Sequence, residues 1–515
     1  MKRLVAFALA MLMVASLTGC GKGGKKSGND KVEATNGGKP VEVAFWNSGM
    51  GDEYFKKLVD AFNAKQSEWF VYYTASADGS ALTTSFELDD VDTVDLYFPS
   101  KHYSIDYMEP LDDVLNYTPE GESKTIKEKF HQGYLSYEEA TDGHYYTLSW
   151  GGGPVGIVYN KDLFKEAGVS TLPRTTNELA LVCDTLTESD ITPWTHSASK
   201  SSYAPGYWAF LIEAFQAQYD GEDYYRNTFY RNPTKETMTA KDGRYHAIKA
   251  MEKILTPEYV QNGANSQDHI TAQTTFLNDK IAMMPNGSWM SNEMAGVGKT
   301  DKYGVMKTPV VSSILDKLST VKSETELRNL ISAIDAVTDG TADIMDYYNG
   351  FAYIINDKTV MESDWLYVEA ARNSVPSNWA KQVCFVPNYA DAKEGAKEFL
   401  KFYYSDEGLK IIAETTHMTL PISLSEGEYD TSEWNEFEKA MLQLYKTADQ
   451  VICSSDDMGK HNLFINGGAS AFVNYNFGQL FCSNNPADRI TADEAWEEII
   501  KKIEATYDQW TANIK

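Results

Sequence analysis

The chain has 515 residues, 43% hydrophobic, 13% aromatic and 23% charged, and its 46 Lys+Arg against 74 Asp+Glu leave a formal net charge of −28. That acidity argues against a nucleic-acid binder, which needs a basic stripe to displace counterions from phosphates, and it favours a neutral or cationic ligand. The aromatic content is too high for a disordered chain, the five Cys are too few for a disulfide scaffold, and the length fits two or three domains.

Lys2 and Arg3 precede the apolar run Leu4 to Leu17, which ends at Thr18-Gly19-Cys20. A short basic start, a short apolar core and small residues at its end read as a secretory signal over 1–19. Leu17-Thr18-Gly19-Cys20 resembles the bacterial lipobox, which implies lipidation of Cys20 and an extracytoplasmic protein moored to the cell membrane. Residues 20–39 are rich in Gly, Lys, Ser, Asn and Asp with almost nothing to bury, and they read as a flexible tether.

Val41, Val43 and Phe45 alternate with polar neighbours and predict a strand, while Phe55, Leu58, Val59 and Phe62 at i, i+3, i+4 and i+7 predict a helix. Phe70 to Tyr73 and Val94 to Phe98 read as further strands, so the N-terminal part is a βαβ unit in a mainly parallel sheet. The pattern breaks at Trp150-Gly151-Gly152-Gly153-Pro154 and restarts with the strand Val155 to Tyr159 and a helix from Lys161 closed by Gly168. Thr175 or Thr176 can cap the next helix. A sheet that stops, crosses at a Gly-rich segment and begins again predicts two α/β lobes with a hinge, and clefts of that kind bind ligands. Residues 311–380 fit the pattern poorly and read as an insertion on one lobe that holds a polar helix over 324–334.

Several pieces then resemble the extracellular solute-binding proteins of bacterial ABC importers, in the sugar-binding group related to maltodextrin-binding protein. They are Phe45-Trp46 before Tyr54-Phe55-Lys56-Lys57-Leu58, then Val94-Asp95-Leu96-Tyr97, then Tyr107-Met108-Glu109-Pro110-Leu111. Next come Gly143-His144-Tyr145-Tyr146 through Val158-Tyr159-Asn160-Lys161-Asp162-Leu163-Phe164, and Phe276 to Met284 with Gly287 and Trp289. Ala396 to Phe402 and Leu420-Pro421 complete the set.

The resemblance implies an α/β, two-lobed, periplasmic-binding-protein-like fold (type II), each lobe a mainly parallel sheet flanked by helices. Residues 40–149 with 381–419 would form lobe 1, and 150–310 with 420–515 lobe 2. It implies a non-enzymatic receptor that carries a sugar or oligosaccharide to permease subunits, as a monomer, without cofactor or nucleic acid. Carried over by position, the ligand-binding residues are Trp46, Asn47 and Ser48; Ser100, Lys101 and His102; Trp150 and Gly151; and Tyr203, Trp208, Asn286 and Trp289. These types suit a sugar: indole and phenol rings stack on its C–H face, while amides and charged groups meet its hydroxyls.

A secreted glycan-hydrolysing lipoprotein is the competing reading and requires two carboxylates flanking the scissile bond. The same fold holding a peptide or another small polar solute is a third. Gly296-Val297-Gly298-Lys299-Thr300 imitates the end of a P-loop, but Glu293 stands where its first Gly belongs. Asp335 to Asp346 imitates a calcium loop, but Val337 falls at a ligand position and Asp346 replaces the bidentate Glu. HExxH and GxSxG do not occur, so no metal site is expected.

Overall fold

A computed structural model describes residues 34–47, 50–77, 94–99, 104–198, 208–278, 280–298, 300–453, 457–459, 461–465 and 476–512. The alternation of Val41, Val43 and Phe45 becomes strand β1 (Lys39–Trp46). Its apolar face is covered by helix α1 (Glu53–Lys65), which buries Tyr54, Phe55, Leu58, Val59 and Phe62. Phe45 stacks on Phe55 with ring centroids 4.1 Å apart. Strand β2 (Trp69–Ser76) and strand β3 (Leu96–Phe98) both pair parallel with β1, in the order β2-β1-β3. Helix α2 (Gln132–Glu138) adds Tyr134, Leu135 and Tyr137 to the same core.

A second core begins after residue 154. Strand β4 (Val155–Asn160) leads to helix α3 (Thr176–Glu188), whose N-terminus is capped by Thr175 accepting from the Glu178 amide at 3.2 Å. Strand β5 (Thr192–Trp194), helix α4 (Trp208–Asp220), strand β6 (Ile281–Gly287), the short helix α5 (Met290–Glu293) and strand β7 (Tyr303–Met306) follow. The sheet order is β5-β6-β4-β7. Only β5 and β6 run parallel, whereas β4 is antiparallel to both β6 and β7. The second sheet is therefore mixed rather than mainly parallel. All seven residues of β6 are buried, and a continuous apolar run reports burial without strand direction.

Helices α6 (Glu324–Thr338) and α7 (Glu362–Arg372) lie within 311–380, and Leu327, Leu330, Ile331, Trp365 and Val368 pack into the second core with Phe215 and Met251. Strand β8 (Ser374–Pro376) then carries the chain back to the first core, where helices α8 (Lys393–Tyr403) and α9 (Asp406–Thr416) bury Phe399, Leu400, Leu409 and Ile412. Helix α10 (Glu436–Lys446) returns to the second half, burying Phe437 and Met441 beside Met284 and Tyr303. Strand β9 (Gln450–Ile452) pairs parallel with β8 and lies between the halves, with Val451 in the first core and Ile452 in the second. Helix α11 (Ala492–Ala512) closes the second core through Trp496, Ile499 and Ile503. Cys183, Cys384, Cys453 and Cys482 are buried, and no disulfide joins them. Among the described residues no helix is long and apolar enough to cross a membrane.

Candidate functional site

The Gly-rich segment found in the sequence is the first passage between the two cores, and it is packed from both sides. Gly152 has φ +84°, in the left-handed region that only Gly adopts without strain. A β-carbon on Gly151 would stand 2.8 Å from Gln382 Oε1 and 3.2 Å from Met50 Cε, and one on Gly153 would overlap the Ser288 hydroxyl. The Gly153 amide donates to Asn378 Oδ1 at 2.8 Å, the Asn378 amide donates back to Gly153 O at 3.2 Å, and the Ser288 amide donates to Pro154 O at 3.2 Å. The loop after β1, the loop after β6 and the return passage 377–382 therefore meet along Gly151–Pro154.

Two indoles sit together on the first-core side. Trp150 is 1% exposed and is wedged edge-on against Phe45, Phe98 and Trp46, at centroid distances of 5.4, 6.0 and 6.2 Å. Trp46 is half-buried, with its Nε1 donating to Ala77 O at 3.3 Å. Asn47, also half-buried, is held by its amide on Ser76 O at 3.1 Å. On the second-core side, Trp289 is 7% exposed and packs with Val155 and Phe210. The Lys381 ammonium lies 4.9 Å above the Phe210 ring. Helix α5, directly after Trp289, is tied down by Asn292 donating to Thr416 O at 2.7 Å and by Ser291 donating to Glu438 at 2.6 Å. The other Glu438 oxygen is 3.0 Å from His417 Nδ1.

The structure thus brings Trp46, Asn47, Trp150 and Gly151 to one edge of the passage and Trp289 to the other. Asn286 and Trp208 lie deeper in the second half. Asn286 is fully buried, with its Oδ1 accepting from the Gly287 amide. Trp208 packs edge-on against Trp194 and His196, at 5.2 and 5.9 Å. Burial pushes His196 down to about 4, with the Asn265 side chain at 2.8 Å only partly opposing it, so the ring is neutral at physiological pH. Cys20, Ser48, Ser100, Lys101, His102 and Tyr203 lie outside the described residues.

Sequence reading missed Met50, Phe210, Ser288, Asn378, Lys381 and Gln382. Ser288 and Phe210 could have been reached as neighbours of Trp289 and Trp208. Asn378 and Lys381 meet the passage only through long-range folding and leave no local pattern. Asp335, the first residue of the calcium-like loop, is already committed: both oxygens accept from Arg372 at 2.9 Å, with Lys307 at 3.3 Å. Burial raises its carboxyl, but Arg372 and Lys307 outweigh that and hold it below the usual range.

A family model described as bacterial extracellular solute-binding protein matches residues 46–410. A candidate binding protein of Brucella abortus (strain 2308) is 23% identical over 279 residues, which span 49% of this chain and 62% of that relative. Among solved structures, a binding protein of an ABC transporter from Bifidobacterium animalis subsp. lactis, in complex with mannobiose, is 17% identical with a TM-score of 0.55, covering 92% of this chain and 95% of that one. The solute-binding protein RafE in complex with raffinose is 13% identical with a TM-score of 0.56, covering 91% and 99%. Likeness at such identities is a likeness of fold: the two-lobed type II architecture of solute receptors.

Proposed function

The chain belongs to the bacterial extracellular solute-binding protein family, and from that premise we propose that it captures a sugar or oligosaccharide between its lobes and delivers it unaltered to the permease subunits of an ABC importer. The observation that carries this reading is the convergence along Gly151–Pro154, where Trp46 with Trp150 and Ser288 with Trp289 flank one inter-lobe passage. A half-buried indole braced by a buried one offers a rigid apolar face for a pyranose ring. Asn47, Ser288, Asn378, Gln382 and Lys381 supply donors and acceptors suited to hydroxyls. Mannobiose and raffinose in structures of the same fold support a carbohydrate as the ligand class.

The mechanism follows from differential affinity. A ligand touched by both lobes gains its second set of contacts only when they close, so binding biases the chain toward the closed form. Closure also removes water and strengthens each hydrogen bond. In this reading Trp46, Asn47, Ser48, Ser100, Lys101 and His102 act from the first lobe, Gly151 from the passage between the lobes, and Tyr203 and Trp289 from the second. Trp150, Trp208 and Asn286 brace them from behind. Export through residues 1–19 and a lipid on Cys20 would hold a monomer beside its permease. A thermal-shift screen of mono- and oligosaccharides against dipeptides, amino acids and polyols tests the ligand class. A sugar at a hundred times its Kd stabilises the fold by about 2.7 kcal/mol. Stabilisation by peptides alone would reject the carbohydrate assignment.

A further inference from the structure

Apart from the passage at Gly151–Pro154, a knot of charge joins the two lobes where the chain leaves β9 for the second core. Asp457 is 1% exposed. Its carboxylate accepts from Arg226 Nε at 3.0 Å, from Arg231 Nε at 2.9 Å and Nη2 at 2.7 Å, and from the Gly459 amide at 2.8 Å. Both arginines come from the π-helical turn Tyr224–Tyr230 and its cap, and Tyr225, Phe229 and Tyr230 of that turn belong to the second core.

The same guanidinium groups reach into the first lobe. Arg226 and Arg231 both donate to Ser136 O near the C-terminal end of α2, and Arg231 also donates to Glu139 O at 3.4 Å. Arg226 stands 4.7 Å over the Tyr137 ring, while the Tyr137 hydroxyl donates to Glu222 at 3.0 Å. The Met458 amide donates to Tyr137 O and the His461 amide to Tyr230 O, each at 2.8 Å, so this stretch of chain is bonded to a lobe on either side.

These partners suit one another. The last carbonyls of a helix lack intrahelical donors and carry the negative end of its dipole, and the buried carboxylate offsets the two cations beside them. A buried charge cluster holds only while it is complete, because removing one member strands the others. It therefore behaves as an all-or-none fastening. In a rotation of one lobe against the other, groups on the connecting segments move least, and Asp457 is itself on such a segment. We propose that Arg226, Arg231 and Asp457 form the pivot of the lobe motion, a clamp that stays made while the lobes turn about it and confines them to a narrow range of angles.

Electron-electron distance measurements on the full chain, labelled through Glu68→Cys and Leu181→Cys, test this without any ligand, so failure here leaves the sugar-receptor reading untouched. Both positions are exposed, Leu181 by 58%, whereas the described native thiols are buried. The unaltered clamp should give one narrow inter-lobe distance. Arg226→Gln and Arg231→Gln should each shift that distance or add a second population above about a tenth of the molecules, with helical content retained. Folded Gln variants with the original distribution would overturn the proposal. If they do not fold, Arg226→Lys and Tyr137→Phe serve instead: broadening supports the pivot and an unchanged distribution overturns it.

Discussion

The Ser288 hydroxyl occupies the space a side chain on Gly153 would need. One atom of the loop after β6 thus rests on the backbone that joins the lobes. Gly153→Ala forces that backbone or Ser288 to move, and overpacking of this kind costs about 1–3 kcal/mol. Urea melts should show that loss, and sugar affinity should fall with it because Trp289 follows Ser288 in the chain. A variant with unchanged stability would mean that the loop yields freely.

Trp46 and Trp150 touch, yet they should respond differently. Trp46→Ala removes a half-buried ring, so stability should change little while carbohydrate affinity drops at least about tenfold, the weight of a 1.4 kcal/mol contact. Trp150→Ala empties a fully packed position and should cost about 3–5 kcal/mol. Chemical denaturation alongside binding titrations separates the two effects. Equal losses of stability would contradict the assignment of Trp46 to the binding surface.

His196 makes stability depend on pH in a defined direction. Burial lowers its folded value to about 4 from 6.5, so between those values the unfolded chain binds more protons. That contribution is present above pH 6.5 and is lost as pH falls toward 4, by roughly 3 kcal/mol over the window. Urea melts at pH 7, 5.5 and 4.5 should show a steeper decline for the unaltered chain than for His196→Gln. Parallel declines would refute it.

Burial pushes the thiols of Cys384 and Cys482 up to about 12 and that of Cys183 higher still. The thiolate is the reactive species, so the native protein should react slowly with a thiol reagent at these positions and rapidly once unfolded in urea. Mass mapping of the labelled peptides would read this directly. Fast native labelling of Cys384 would contradict its place in the first core.

Much of the fold was legible because period reports burial. Val41, Val43 and Phe45 announced a strand and Phe55 to Phe62 a helix, and the triple Gly marked the passage between lobes. Strand direction was not legible, since β6 is apolar throughout and nothing local says that β4 runs against it. The sequence also left open which core residues 311–380 join, because the hydropathy of Leu327 and Trp365 does not say that they pack into the second one. At the candidate site, Trp46 and Trp150 came from the family resemblance, carried over by position, and only the fold distinguishes the half-buried ring from the buried one beside it. Asn378, Lys381 and the Asp457 clamp depend on contacts across hundreds of residues and carry no sequence spacing.

The most direct measurement is a tryptophan-emission titration of the full chain and of Trp46→Ala with a panel of carbohydrates, followed by mass analysis of the recovered sugar. A saturable change that is lost in Trp46→Ala, with the sugar returned intact, is the expected result. Cleaved product, or no response to any carbohydrate, would contradict a receptor that closes on a sugar and releases it unchanged.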